Sequence, residues 1–161
     1  KGTIQRGEAV GKALLEFFDK SSFVDHLEVV DVTLSGTTFI ATFNHQIVRD
    51  TTIGSGQNLA VGLAKDGLEW IDNGTQIAIT ELIYGGRKIT GTLASAPVGT
   101  LEQQVLRVAE QTVPPANALG AENNAGSVIR ADKAGWSSIF DATYINYTWA
   151  IPQKFTKVRG V

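Results

Sequence analysis

From Leu27 onward apolar and polar residues alternate with a period of two, and small turn-forming pairs cut the alternation into short runs. The run "LEVVDVTL" meets Ser35-Gly36 and continues as "TTFIATFN"; "LEWI" stands between Asp66-Gly67 and Asn73-Gly74; "QIAITELIY" and "RKITGTL" flank Gly85-Gly86. A strand turns successive side chains to opposite faces, so this period describes ribbons with one dry side and one wet side. Glycine supplies the positive φ that a tight two-residue turn demands, and Gly85-Gly86 is the clearest hairpin signal. The same pattern returns in "LAVGLAK", "QQVLRVAE", "SVIRA", "TYINYTWA" and "FTKV". About eight to ten short strands with no helix between them predict an all-β, antiparallel β-sandwich, jelly-roll-like in architecture. No sequence repeat at a fixed period points instead to a propeller or β-helix.

One segment breaks the rule. In "RGEAVGKALLEFFDK", Val10, Ala13, Leu14, Phe17 and Phe18 follow the i, i+3, i+4, i+7, i+8 spacing of a single apolar stripe. Glu8, Lys12, Glu16 and Lys20 alternate in sign four residues apart on the wet side. We therefore expect an N-terminal amphipathic α-helix within residues 1–25, serving as a linker from an upstream domain, and a β-sandwich domain over residues 26–161. The chain starts at Lys1 and holds no methionine, which leads us to expect a piece cut from a longer polypeptide.

Composition narrows the chemistry. The chain has no cysteine, so disulfides and thiolate metal sites are excluded. A net charge of −2 with interspersed signs argues against nucleic acid and anionic membranes as partners. No apolar run reaches the roughly 20 residues that span a bilayer. The two histidines, His26 and His45, are far apart in sequence, and neither a Gly-x-Ser-x-Gly elbow nor a His-Glu-x-x-His motif occurs. We expect no catalytic residues, no metal and no cofactor. Asp66, Asp72, Asp132 and Asp141 fall in turns, where aspartate bonds its own backbone. Asn73-Gly-Thr and Asn146-Tyr-Thr fit the glycosylation sequon.

The aromatic residues point to binding. On a strand, Ile145, Tyr147 and Trp149 share one face, and Tyr144, Asn146 and Thr148 share the other. We assign Tyr147 and Trp149 to the core and leave Tyr144 at the rim as a ligand contact. Trp70 is bracketed by two turns, so its ring is expected near a sheet edge; Trp136 in "KAGWSS" is loop-like. Both are candidates for stacking on a sugar. Tyr84 at the Gly85-Gly86 turn joins them, with Arg87 beside it offering a planar fork to a ligand carboxylate. The segment from Pro114 to Gly135 is a long excursion of the kind that carries function.

Several of these words resemble a known family. Phe43-Asn44, Asp66-Gly67, Pro97-Val98-Gly99 and Arg107-Val108-Ala109 are similar to turns and strands of the β-sandwich domains that accompany sialate O-acetylesterase-like SGNH hydrolases. "NNAGSVIRADKAG" resembles the Gly-Asn-Leu-Arg-Asp-Ser loop of phage and prophage members, with Ala131 intervening between Arg130 and Asp132. The likeness runs from about Leu27 to Val158. It implies an accessory carbohydrate-binding, lectin-like domain for sialic acid-containing glycans, encoded by a bacterium or phage and acting outside the cell. It implies an esterase catalytic domain upstream, whose Gly-Asp-Ser and Asp-x-x-His blocks are missing from this chain. Arg130 and Asp132 would hold the loop, and Asn123, Asn124, Arg130 and Asp132 would supply hydrogen bonds to sugar. The structural alternative is a tail-fibre or tailspike terminal domain for oligomerisation or receptor binding; a stand-alone hydrolase is the third reading.

Overall fold

In a computed structural model of the chain, the described residues are 26–50, 64–109, 128–133, 136–137, 145–146, 148 and 150–161. The helix expected within residues 1–25 lies outside them, as do Asn123, Asn124, Tyr144, Tyr147 and Trp149.

The alternating runs form strands, and the all-β expectation holds. These are β1 (Val29–Ser35), β2 (Thr38–Phe43), β3 (Ile47–Arg49), β4 (Leu68–Asp72), β5 (Thr75–Ile77), β6 (Ile79–Gly85), β7 (Lys88–Leu93) and β8 (Gln104–Val108). They are followed by β9 (Ile129–Ala131), β10 (Trp136–Ser137), β11 (Ile145–Asn146), β12 (Gln153–Phe155) and β13 (Arg159–Gly160). Two sheets carry most of them. One has the order β13-β1-β2-β7-β6 and the other β12-β8-β4-β5. All pairings within these sheets are antiparallel except β1 with β13. Both belong to one compact unit, Leu27–Asp132 with Trp149–Val161, which also holds the antiparallel pair β3-β9. A second unit contains β10 and β11, paired antiparallel to each other.

The turn pairs do what their residues allow, with the register shifted by one in two cases. Asn73-Gly74 is the two-residue loop of β4-β5, with both residues at positive φ, 46° and 82°. The other two hairpins close one residue later than the sequence suggests. Gly85 pairs with Lys88 and Ser35 with Thr38, so the loops are Gly86-Arg87 and Gly36-Thr37. Only their leading glycines take positive φ, 60° and 58°, which is the requirement of a hairpin turn with a single left-handed position.

Two devices join the sheets. Only Ala78 separates β5 from β6, so one extended run crosses from the four-stranded to the five-stranded sheet. Ala94 N–H donates to the Ala78 carbonyl at this crossing. On the other flank, the Gln153 side chain imitates a strand. Val29 N–H donates to its Oε1 at 2.9 Å, and its Nε2 donates to the Val29 carbonyl at 2.8 Å.

The core between the sheets is built from inward positions such as Val32, Phe39, Phe43, Leu68, Trp70, Ile89 and Leu106. Phe39 and Trp70 meet with ring centroids 5.0 Å apart. Gly91 lies opposite Phe39 in the β2-β7 register, and a Cβ there would overlap the Phe39 ring. Burial of this apolar surface is the main source of stability.

Candidate functional site

A polar corner forms where Ala64–Gly67 leads into β4. Lys65, Asp66 and Gly67 all have positive φ, at 20°, 62° and 91°. Aspartate tolerates the left-handed region better than most residues, whereas lysine at such a φ is uncommon. Asp66 is fixed there from several sides. The Val128 N–H donates to its carbonyl at 3.3 Å, and the next carbonyl, Gly67, accepts from Ala109 N–H at 2.8 Å. Its carboxylate takes Arg49 Nε at Oδ2 (2.7 Å) and Arg49 Nη2 at Oδ1 (2.8 Å). Tyr84 donates its hydroxyl to Oδ2 at 2.8 Å. Beside them, Lys65 Nζ donates to the Thr80 carbonyl at 2.9 Å.

Electrostatics set the protonation states of this cluster. Burial by itself raises the Asp66 pKa, but the hydrogen bonds from Arg49 and Tyr84 and the charges of Arg49 and Lys65 outweigh it and hold the carboxyl below its ordinary value. The hydrogen bond to Asp66 raises the Arg49 pKa further. Burial, then the bond to Asp66, pushes the Tyr84 phenol well above its usual range. At neutral pH the cluster is thus a carboxylate, a guanidinium and a neutral phenol. Neither Asp66, with both oxygens occupied, nor Tyr84, with its proton held, is poised as a base or nucleophile. Arg49 is different: its side chain is 51% exposed.

A second built feature stands at the loop before β8. Asp72 is 6% exposed, yet it does not bond its own backbone as an ordinary turn aspartate does. It accepts Val98 N–H at Oδ2 (2.8 Å) and Gly99 N–H at Oδ1 (3.0 Å). Gln104, fully buried, donates its Nε2 to Asp72 Oδ1 at 2.6 Å and accepts Trp70 Nε1–H at 2.9 Å. Gln103 secures the same loop by accepting Thr100 N–H at 2.9 Å. A Cβ on Gly99 would lie 2.5 Å from Asp72 Oδ1, so the close approach requires glycine. The backbone N–H of Val98 lowers the Asp72 pKa most; burial opposes it, and Gln104 and Gly99 reinforce it. The product is a stiff loop with Val98 95% exposed at its tip.

The residues singled out from sequence fare differently. Trp70 is fully buried, which corrects its expected place near a sheet edge. Its strand β4 lies between β8 and β5, every β4 residue is buried, and the indole stacks on Phe39 instead of meeting solvent. Tyr84 is half-buried and packs partly against the core. Arg87 is exposed and donates Nε to the Phe43 carbonyl at 2.8 Å. Arg130 Nε meets Asp50 Oδ2 at 2.6 Å and its Nη1 the Ala131 carbonyl at 3.1 Å, while Asp132 is exposed. Trp136 has its backbone in β10 rather than in a loop. Asn123, Asn124 and Tyr144 lie outside the described residues.

The site thus unites Tyr84 with Arg49 and Asp66, and sequence reading missed both partners. Asp66 stood in an Asp-Gly pair that reads as an ordinary turn, and Arg49 in "IVRD" as a strand end. Among the described residues, no group of three or more His, Cys, Asp or Glu is placed to hold a metal ion. No helix among them is long and apolar enough to cross a membrane. No known family matches the chain, and no curated protein matches it.

Proposed function

We propose that the chain is a non-catalytic carbohydrate-binding module on a jelly-roll-like sandwich, the companion of a carbohydrate esterase domain, which holds glycans that include sialic acid. The observation that carries this reading is the half-exposed Arg49 guanidinium, clamped in a fixed plane by Asp66 and Tyr84. The groups around it that could do acid–base work are saturated by partners in the chain, whereas Arg49 still has donors to offer. A fixed donor on a rigid β-scaffold binds without reorganising, which limits the entropic cost of association.

Affinity for a single sugar is expected to be weak and to grow by avidity when several copies are presented. Backbone amide shifts in ¹H–¹⁵N spectra, followed during titration with sialylated and neutral oligosaccharides, test the reading. Shifts clustered at Arg49, Asp66 and Tyr84 support it. Unchanged spectra across the whole panel would remove it.

A further inference from the structure

We propose that the outward edge of the Arg49 guanidinium is a carboxylate subsite, so that the module grips an acidic sugar by its carboxylate and not by its hydroxyls. This rests on the reading of the chain as a glycan-binding module and names the ligand group that the site selects.

A guanidinium has two edges on which a pair of N–H groups can meet two oxygens. Asp66 occupies one of them, the side edge formed by Nε and Nη2. The end edge, formed by Nη1 and the second Nη2 hydrogen, is not used by Asp66; the Tyr84 hydroxyl is the other polar group at the guanidinium, and the side chain is 51% exposed. Arginine has donors and no acceptor, so whatever binds there must bring acceptors. Two parallel N–H groups in one plane match the two oxygens of a carboxylate in the fork-to-fork geometry, which a single hydroxyl cannot fill.

The fork is aimed before any ligand arrives. An ordinary surface arginine must lose the freedom of a long side chain when it binds. Here the carboxylate that holds Arg49 sits on a left-handed corner and also accepts the Tyr84 hydroxyl, so Asp66 and Tyr84 together set the guanidinium plane. Lys65 adds a second positive charge beside Arg49 and Asp66. Lysine supplies charge but not the fork.

The test uses the chain with the Nε–H resonance of Arg49 as its probe. The titrants are N-acetylneuraminic acid, its methyl ester, glucuronic acid, a neutral hexose and a short acidic peptide. We expect the two acidic sugars to shift Arg49 Nε–H, and the methyl ester, which keeps every hydroxyl, to bind at least about tenfold more weakly. Arg49→Ala and Arg49→Lys should both lose the acidic sugars, with an amide spectrum taken first to confirm the fold; the ester comparison needs no variant at all. Equal binding of acid and ester, or full retention in Arg49→Lys, overturns the subsite while leaving the module reading in place. If the peptide alone shifts Arg49, the carboxylate fork stands and the glycan reading falls. If no titrant moves the resonance, the subsite is refuted.

Discussion

Replacing Asp72 by alanine removes the acceptor of three donors at once: Val98 N–H, Gly99 N–H and Gln104 Nε2. A hydrogen bond to a charged group contributes about 1.5–3 kcal/mol when its partner is left dry, and nearer 1 kcal/mol when water can take over. Val98 is 95% exposed, so water can reach the loop amides, whereas Gln104 is fully buried and keeps only the Thr100 carbonyl at 3.2 Å for its Nε2. One dry donor and two wettable ones give a loss of roughly 3.5–5 kcal/mol, a large share of a typical stability of about 5–15 kcal/mol. At about 2–4 °C per kcal/mol for a chain of this size, the midpoint of thermal unfolding should fall by roughly 7–20 °C. Asp72→Asn should cost less, because an oxygen at the Oδ1 position still serves Gly99 and Gln104 while the new amide faces Val98 N–H donor to donor.

The charge adds a pH signature. The folded Asp72 carboxyl is held below its ordinary value, chiefly by the Val98 N–H. A depressed folded pKa stabilises the protein above the unfolded value, near 3.9, and that stability is lost as pH falls through the folded value. Urea denaturation between pH 6 and pH 3, on the parent and both variants, should therefore show a steeper acid decline for the parent than for either variant. A loss under about 0.5 kcal/mol for Asp72→Ala, well below the range for even one charged hydrogen bond, would refute the bracing role. Parallel acid limbs in parent and variants would refute it too.

Two other substitutions probe the scaffold away from the site. Gly91→Ala forces a methyl into the Phe39 ring, which is fully buried and cannot move aside; overpacking of this kind costs about 1–3 kcal/mol and should appear as a lowered urea midpoint with an unchanged slope. Gln153→Ala deletes the side-chain bridge that donates to and accepts from Val29, and two neutral hydrogen bonds at about 1 kcal/mol each predict a loss of roughly 2 kcal/mol, with faster hydrogen exchange at the Val29 amide as the local readout.

The hairpins were legible because their cause is local. Alternation and a turn pair act over a few residues, so Asn73-Gly74 could be placed correctly, and Gly85-Gly86 missed by a single residue. That error has a plain reason: either glycine can take positive φ, and only the register against β7 shows which one does. Trp70 was misplaced for the opposite reason. Two flanking turns describe a short strand, but whether that strand lies at an edge depends on β8, which begins 32 residues after β4 ends.

The polar sites were the least legible. A turn aspartate that bonds itself and one that reaches across the fold look identical in sequence. Asp72 meets a loop 26 and 27 residues further on, Asp66 meets Arg49 at a separation of 17, and Gln153 meets Val29 at a separation of 124. Periodicity and turn chemistry, which depend only on neighbours along the chain, were enough to make this an antiparallel β protein without thiol chemistry. Which aromatic is sealed away, which carboxylate braces a loop and which arginine faces solvent were decided by packing, because hydrogen bonds and burial depend on distance in space and the alternating pattern carries no record of it.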